Sequence, residues 1–184
     1  MDAAQNFVNG IDTNKHILLL YNDPQYAKTI EFLFIKNGLV KGEHCIYATQ
    51  EDPSFIKTKM EEHGIDVKNF LKKGLLHIYR PSDPFANPDG VLEGAKTSLD
   101  LMLKDSTSPY RMITMLIPDT EIAEVIDIHI KIEKEFHANF ENFNGSMMCP
   151  YNLKNLEQND SRDRVQELVN SHHSVIYAQP SEKC

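Results

Sequence analysis

The eight-residue segment NDPQYAKT follows the first apolar run of the chain and contains a Lys-Thr pair at its end. A phosphate-binding loop of the form G-x-x-x-x-G-K-[ST] would place Lys28 and Thr29 beside the phosphates of a nucleotide. Here Asn22 and Ala27 stand where the two glycines belong, and Pro24 removes one backbone N–H. Without these glycines the backbone cannot wrap closely around phosphates. The segment therefore indicates an ordinary helix start, with nucleotide binding through Lys28 and Thr29 as the alternative.

An acidic pair, Glu51 and Asp52, directly follows the second apolar run. Two carboxylates at this place are suited to general-base chemistry or to magnesium binding. Asp52 also precedes Pro53, and an aspartate followed by proline is typical of a helix cap and the first helical residue. The pattern favours the cap, and the general-base and magnesium interpretations stay open.

Cysteine and histidine residues offer a third kind of chemistry, because Cys149, His172 and His173 stand near the end of the chain. A nucleophilic cysteine needs a base within hydrogen-bond reach, and soft-metal sites usually contain pairs of ligands at short spacing. The sequence contains no such pairs. We therefore expect a buried strand cysteine, solvated or capping histidines and no metal ion. We expect His129 and His137 on the solvated face of a helix.

Short apolar runs alternate about six times with segments of helical periodicity. The runs predict strands over residues 16–21, 45–49, 75–79, 112–117, 147–151 and 174–178. Between them lie predicted helices, of which one is closed by Gly38 and a long one is opened by residues 118–120. This alternation predicts an α/β fold of three layers, αβα, in which helices cover both faces of a mostly parallel sheet.

Ligands of such folds bind outside the carboxyl ends of the strands. The loops at these ends predict a small-molecule pocket. Its expected lining residues are Tyr21, Asn22, Asp23, Tyr26, Lys28, Thr29, Glu51, Asp52, Tyr79, Arg80 and Tyr151. Residues 80–89 contain three prolines and form a candidate lid over this pocket.

The composition is that of one globular domain: 184 residues, 41% hydrophobic and 25% charged. We expect residues 14–179 to form the domain and residues 1–13 and 180–184 to be tails. The net charge of −8 disfavours direct binding to nucleic acid. No run approaches the roughly 20 apolar residues of a membrane span, and no secretion signal is visible. Three dispersed cysteines fit a reducing cytoplasm.

Several longer stretches resemble a known family. HILLLY, GLVKGEHCIYATQEDP and GIDVKNFLKKGLLHIY, with CPYN and HHSVIYA late in the chain, resemble the MEDS sensory domain, named for methanogens, methylotrophs and the DcmR regulator. The resemblance extends over about residues 16–178. The second stretch is also similar to KaiC and RecA-like ATPases. Those proteins carry a glycine-rich loop where this chain has NDPQYAKT, catalytic acids where it has Glu51 and Asp52, and a metal-associated aspartate where Asp119 here follows Pro118.

The resemblance implies a RecA/KaiC-like fold with a degenerate nucleotide site and a sensory role without catalysis or cofactor. Members of the family commonly stand beside histidine kinase or DNA-binding modules and are associated with sensing small molecules such as hydrocarbon derivatives. Because no output domain follows Ala178, the resemblance predicts a sensor that acts in trans on a kinase or transcription regulator. Two alternatives remain: a residual nucleotide-binding enzyme using Lys28, Thr29, Glu51 and Asp52, and a non-catalytic module that forms homo-oligomers.

Overall fold

The computed structural model describes residues 2–12, 14–117, 120–157 and 162–179 of the chain. Eight α-helices lie within these residues: α1 Ala3–Asn9, α2 Pro24–Lys41, α3 Pro53–Glu62, α4 Val67–Lys72, α5 Val91–Leu103, α6 Ala123–Ala138, α7 Leu153–Glu157 and α8 Arg162–Asn170. Two short 3-10 turns cover Pro84–Ala86 and Phe140–Asn142. None of the helices in these ranges is long and apolar enough to cross a lipid bilayer.

Six strands form one sheet within the described residues: β1 His16–Tyr21, β2 His44–Ala48, β3 Leu76–Tyr79, β4 Tyr110–Ile113, β5 Gly145–Asn152 and β6 Ser174–Ala178. Their order across the sheet is β3-β2-β4-β5-β1-β6. Every pairing is parallel. The carboxyl ends of all six strands therefore meet at one edge of the sheet.

Alternate residues of β1 belong to the two separate halves of the core. Ile17 and Leu19 pack with side chains of α1 to α4, whereas Leu18 and Leu20 pack with side chains of α5 to α8. A strand covered on both faces needs an uninterrupted apolar run, which is what HILLLY provides after its first residue. The predicted three-layer αβα fold is thereby confirmed.

The segment before β1, expected to be a tail, contains a helix. Asp2 caps α1, since its carboxylate accepts a hydrogen bond from the Gln5 backbone N–H at 3.0 Å. Ala4, Val8 and Ile11 are buried in the same half of the core as α2. The short length and polar composition of this segment concealed its apolar spacing. Residues 180–184, the other expected tail, lie outside the described residues.

Gly38 does not close α2, contrary to the prediction. The helix continues to Lys41 and ends at Gly42, whose φ of 78° is the left-handed conformation that glycine adopts readily. Gly38 lies inside the helix, where an added Cβ would come within 2.6 Å of the Arg111 side chain and 2.8 Å of Cys45 Sγ. The glycine at this position therefore allows close packing of α2 on the sheet.

Two element bounds around the fourth strand also differ from the prediction. The strand ends at Ile113, and the chain leaves the sheet over residues 114–117. The long helix begins at Ala123 instead of at residues 118–120, so only Glu124 of the expected acids lies in its first turn. Residues 118 and 119 lie outside the described part of the chain.

A buried ion pair joins β4 to the start of β2. Arg111, with 2% of its side chain exposed, donates from Nε to Glu43 Oε2 at 2.6 Å and from the second guanidinium nitrogen to Oε1 at 3.1 Å. Its guanidinium also lies over the ring of Phe34 at 4.9 Å. The charge is thus fully desolvated, and Glu43 is its carboxylate partner.

Candidate functional site

A cleft of about 420 Å³ lies between α2 and α3, at the carboxyl ends of β1 and β2. It is called the α2–α3 cleft below. Its lining residues are Tyr21, Pro24, Gln25, Ala27, Lys28, Glu31, Phe32, Gln50, Glu51, Phe55, Ile56, Lys59, His63 and Met115. This is the edge of the sheet at which parallel α/β folds bind ligands, and the volume suits a small molecule.

The two helices that border the cleft begin with the same local sequence, an aspartate followed by proline. Asp23 accepts hydrogen bonds from the N–H groups of Gln25 and Tyr26 at 2.9 and 3.2 Å. Asp52 accepts from the N–H groups of Ser54 and Phe55 at 2.8 and 3.2 Å. The predicted cap at Asp52 is therefore confirmed. Both carboxylates are occupied at helix starts, and neither Asp23 nor Asp52 is among the residues that line the cleft.

A network of charged groups forms one wall of the cleft. The ammonium of Lys28 lies 2.7 Å from Glu51 Oε1, 3.3 Å from Glu31 Oε2 and 2.8 Å from the Tyr47 hydroxyl. The Tyr47 hydroxyl also donates to Glu31 through a short hydrogen bond. Two carboxylates therefore share one cation, and the network carries a net charge of about −1.

Burial and charge act in opposite directions on Lys28. Burial alone lowers the pKa of its ammonium, but the attraction of Glu31 and the hydrogen bond to Glu51 outweigh burial and raise that pKa. The pKa of Tyr47 is raised, first by burial and then by the negative charge of Glu31. Lys28 is thus held as a cation and Tyr47 as a neutral donor near pH 7.

Apolar side chains form much of the remaining lining of the cleft. Phe55 and Ile56 project from α3, Phe32 from α2, and Met115 from the loop after β4. Phe55 is 48% exposed, whereas Ile56 is fully buried. Gln50 closes the end of the cleft, since its amide donates to the carbonyl oxygen of Leu116 at 3.1 Å. The cleft therefore combines an apolar surface with a charged one, and it also contains Lys59, which pairs with Glu62 at 2.8 Å.

Three of the predicted pocket residues, Tyr21, Lys28 and Glu51, come together in this cleft. Asp23 and Asp52 cap helices, as described above. The other six lie elsewhere. Asn22 donates to the Tyr177 hydroxyl at 2.7 Å, Thr29 donates to the Gln25 carbonyl oxygen at 3.2 Å, and Tyr26 has a buried hydroxyl. Tyr79 stacks on His77, Arg80 is exposed, and Tyr151 lies on the opposite face of the sheet.

The proposed lid is also separate from the α2–α3 cleft. The turn Pro84–Ala86 packs on α5, and Gly94 allows this contact because an added Cβ would lie 2.4 Å from the Pro84 carbonyl oxygen. Phe85 lines a different cavity of about 350 Å³, together with Leu116 and Val125.

Several cleft residues were missed from the sequence, although helical spacing points to them. Glu31 and Phe32 follow Lys28 by three and four positions, so they share its face of α2. Likewise, Lys59 follows Phe55 by four positions on α3. The start of each helix was recognised, and extending the helical face from there would have identified these side chains.

A second group of chemically active side chains lies on the other face of the sheet. His16, Glu133, Cys149 and His172 are all buried, and one donor atom from each lies within 4.8 Å of those of the others. We call this group the four-donor cluster. His172 is buried and not solvated, but its Nδ1 lies 2.7 Å from the Leu168 carbonyl oxygen in the last turn of α8, as expected of a capping histidine. The pairing of β1 with β5 brings His16 Nε2 within 3.3 Å of Cys149 Sγ, a contact that the sequence did not predict.

The two histidines of α6 also differ from expectation, because they do not point freely into solvent. His137 Nδ1 lies 3.4 Å from His16 Nδ1, and the ring of His137 lies 4.7 Å from that of His173. His129 faces the ring of Tyr151 at 5.8 Å, and its Nε2 is buried without a hydrogen-bond partner in the described part of the chain. The apolar face of α6 thus carries histidines into the protein.

Burial and neighbouring charges together set the pKa values around the four-donor cluster. Burial lowers the pKa of His172 to about 4, against the opposing effect of Glu133. Burial raises the pKa of Cys149, and Glu133 raises it further. Burial alone would also raise the pKa of Glu133, but the hydrogen bond from His16 and the neighbouring histidine charges lower it to about 2.

We expect acid to destabilise the chain through its buried histidines, His172 among them, and one clear contribution comes from His129. Burial lowers the pKa of this histidine to about 4 from its usual 6.5. Between these two values the unfolded chain binds more protons than the folded chain, so the free energy of unfolding falls as the pH is lowered from about 6.5 to 4. Glu133, with its pKa near 2, loses its stabilising effect only below about pH 4.5. The measurement is the urea midpoint at several pH values.

The variant His129→Gln separates this contribution from the rest. We expect its urea midpoint to depend less steeply on pH than that of the wild type between pH 6.5 and 4. Equal slopes for the two proteins would contradict the assignment of acid sensitivity to His129.

The arrangement of strands and helices is similar to that of a solved KaiC-like protein from the hyperthermophilic archaeon Pyrococcus horikoshii OT3, with a TM-score of 0.61. The sequences are 14% identical, and the similarity covers 94% of this chain and 76% of the archaeal chain. The fold is therefore of the KaiC/RecA-like class.

The family model of the methanogen/methylotroph, DcmR sensory domain, MEDS, matches residues 15–173. The chain thus belongs to the MEDS family. No curated protein sequence matches it.

Proposed function

We propose that this chain is a small-molecule sensor that binds its ligand in the α2–α3 cleft and passes the signal to a separate kinase or transcription regulator. One observation carries the proposal: at the carboxyl ends of β1 and β2, apolar side chains and a network of charged groups line the same cleft of about 420 Å³. Membership of a sensory domain family supports the same function.

The charges of the cleft favour a particular class of ligand. The two lysines that line the cleft are already paired with carboxylates, Lys28 with Glu31 and Glu51, and Lys59 with Glu62. A phosphate would therefore meet two carboxylates and a backbone without the glycines of a phosphate-binding loop. Glu51 is 40% exposed and can accept a hydrogen bond from a ligand. We therefore infer an organic ligand with an apolar body and one hydrogen-bond-donating or cationic group.

We infer that α3 transmits the signal, because few of its residues are buried against the rest of the protein. Only Ile56 and Met60 of its ten residues are buried, whereas eight residues of α2 are buried. Elements with few buried contacts open at low free-energy cost. A ligand seated between the two helices contacts both and favours one position of α3 over others, and a partner that contacts α3 can read this shift.

A thermal-shift screen tests the proposal. The panel contains short-chain alcohols, amines and other small organic compounds, together with ATP and GTP with and without Mg²⁺. At a hundredfold excess over Kd a ligand stabilises the fold by about 2.7 kcal/mol, or roughly 5 °C or more in Tm. We expect organic compounds to produce the shift and Mg-nucleotides to produce none. A shift with Mg-ATP alone would show that the nucleotide-binding alternative is correct.

Two phenylalanine variants show which of the two cavities binds the ligand. Phe55→Ala removes a wall of the α2–α3 cleft, whereas Phe85→Ala removes an equally exposed ring, at 45% against 48%, from the other cavity. Because both rings are half exposed, each substitution should change Tm little without ligand. We expect ligand affinity to fall about tenfold or more in Phe55→Ala and to stay unchanged in Phe85→Ala. The reverse pattern would place the ligand in the other cavity.

A further inference from the structure

We propose that the four-donor cluster binds one Zn²⁺ ion, with all four ligands supplied by the protein. The site lies between the sheet and α6, on the face opposite the α2–α3 cleft, and it does not depend on the proposed sensory function. Its ligands come from four separate segments: the first residue of β1, the middle of α6, β5 and the turn after α8.

Four of the six distances between the donor atoms are close to those of a tetrahedral ion, and all six are within 4.8 Å. His16 Nε2 lies 3.2 Å from Glu133 Oε2 and 3.3 Å from Cys149 Sγ. Glu133 Oε2 lies 3.4 Å from Cys149 Sγ and 3.6 Å from His172 Nε2. Tetrahedral bonds of about 2.0–2.3 Å, as zinc forms with nitrogen, oxygen and sulfur, require donor separations of about 3.3–3.8 Å. The side chains therefore need little movement to bind the ion.

The hydrogen bonding of His172 is a second, independent observation that favours a cation at this site. Its Nδ1 lies 2.7 Å from the Leu168 carbonyl oxygen, so Nδ1 carries the proton and Nε2 of the neutral ring carries a lone pair. This Nε2 is fully buried and has no hydrogen-bond partner among the described residues. It faces the Glu133 carboxylate, which is also an acceptor. Two buried acceptors aimed at each other are unfavourable, and a cation between them satisfies both.

Polar groups around the cluster hold the donors in place. The Tyr151 hydroxyl donates to the other oxygen of Glu133 at 2.7 Å, and Thr114 Oγ1 lies 3.1 Å from Cys149 Sγ. The Nδ1 contact of His172 fixes its ring in the same way. Such outer contacts are typical of metal ligands, because they set the tautomer and orientation of each donor.

The donor set selects zinc over the harder cations. Mg²⁺ and Ca²⁺ prefer six or more oxygen ligands, and here only Glu133 supplies oxygen. Two imidazoles, a thiolate and a carboxylate in a tetrahedron suit Zn²⁺. Because the protein supplies all four ligands, the site is structural, and the bound ion would tie β1, β5, α6 and the C-terminal segment together. A small cavity of about 30 Å³ lies beside Glu133 and Tyr151.

Cobalt provides the direct test, because its absorption reports coordination number and thiolate ligation. The full chain, freed of any purification tag and of metal, is titrated with Co²⁺ and then with Zn²⁺. We expect one Co²⁺ per chain, the intense visible bands of four-coordinate cobalt, a thiolate charge-transfer band in the near ultraviolet, and displacement of Co²⁺ by one Zn²⁺. Failure of the wild type to bind one ion, or the weak spectrum of six-coordinate cobalt, would overturn the proposal.

Matched cysteine variants in a Cys184→Ser background assign the thiolate. Cys149→Ser should lose the charge-transfer band and at least about a hundredfold in affinity, while Cys45→Ser, which removes a buried cysteine on the other face, should keep both. His172→Gln should weaken binding similarly. If either loss variant does not fold by circular dichroism, Glu133→Gln replaces it. Retention of the band in Cys149→Ser would contradict the proposed ligand set.

Discussion

Replacement of Lys28 by methionine is expected to lower the free energy of unfolding by about 2–4 kcal/mol. We expect no change in ATP turnover, because Lys28 is a partner of carboxylates and not of a phosphate. The ammonium lies within 3.3 Å of both Glu31 and Glu51, and Glu31 is 2% exposed. Removing the cation leaves a buried carboxylate with the Tyr47 hydroxyl as its hydrogen-bond donor. A buried charge that loses its partner destabilises a protein by several kcal/mol. Urea unfolding measures the loss.

Two further variants separate this effect from a simple loss of lysine. Lys134→Met removes an exposed ion pair with Glu167 and should cost less than about 1 kcal/mol. Adding Glu31→Gln to Lys28→Met should recover part of the stability, because the double variant contains no unpaired buried charge. If Lys28→Met were as stable as the wild type and instead lost ATP turnover, Lys28 would be a phosphate ligand.

Replacement of Glu43 by alanine is expected to cost about 3–5 kcal/mol, because it leaves the Arg111 guanidinium buried without a carboxylate. Arg111 lies beneath α2 beside Gly38, and its side chain is only 2% exposed, so the guanidinium has little access to water after Glu43 is removed. The measurement is again the free energy of unfolding in urea.

Asp127→Ala is the matched control for this prediction. Arg164 also pairs with a carboxylate through two nitrogens, at 2.7 and 3.3 Å, but Asp127 is 49% exposed. Its loss should cost at most about 1 kcal/mol. Replacing both Glu43 and Arg111 by methionine should restore much of the stability lost in Glu43→Ala. Similar losses in Glu43→Ala and Asp127→Ala would show that burial does not decide the strength of the Arg111 pair.

The sequence predicted the elements whose signals are local. The bounds of β1 and β6 agree with the structure, because a continuous apolar run bounded by polar residues defines a buried strand. Likewise, an aspartate before proline defined the start of α3. Gly38 was misinterpreted, because glycine near the end of a helical pattern can mark either a cap or a close contact with another element. Only the position of Arg111 across the sheet distinguishes these two roles.

The sites required contacts between distant parts of the chain. Lys28 and Glu51 were recognised from their positions after apolar runs, but their shared ion pair depends on how α2 lies against the end of β2. The four-donor cluster gave no signal at short spacing. His16 and Cys149 meet only because β5 pairs with β1, and no local pattern specifies strand order.

The most direct test of the sensory account is to observe where compounds bind. The ¹⁵N-labelled chain is titrated with each compound of the organic panel and, separately, with Mg-ATP, while its backbone amide signals are recorded. The account predicts that at least one organic compound shifts, saturably, the amides of α2 and α3 around Lys28, Phe32 and Phe55, while those around Phe85 stay unchanged and Mg-ATP has no effect. Saturable shifts at Lys28 and Thr29 with Mg-ATP, and none with any organic compound, would contradict it.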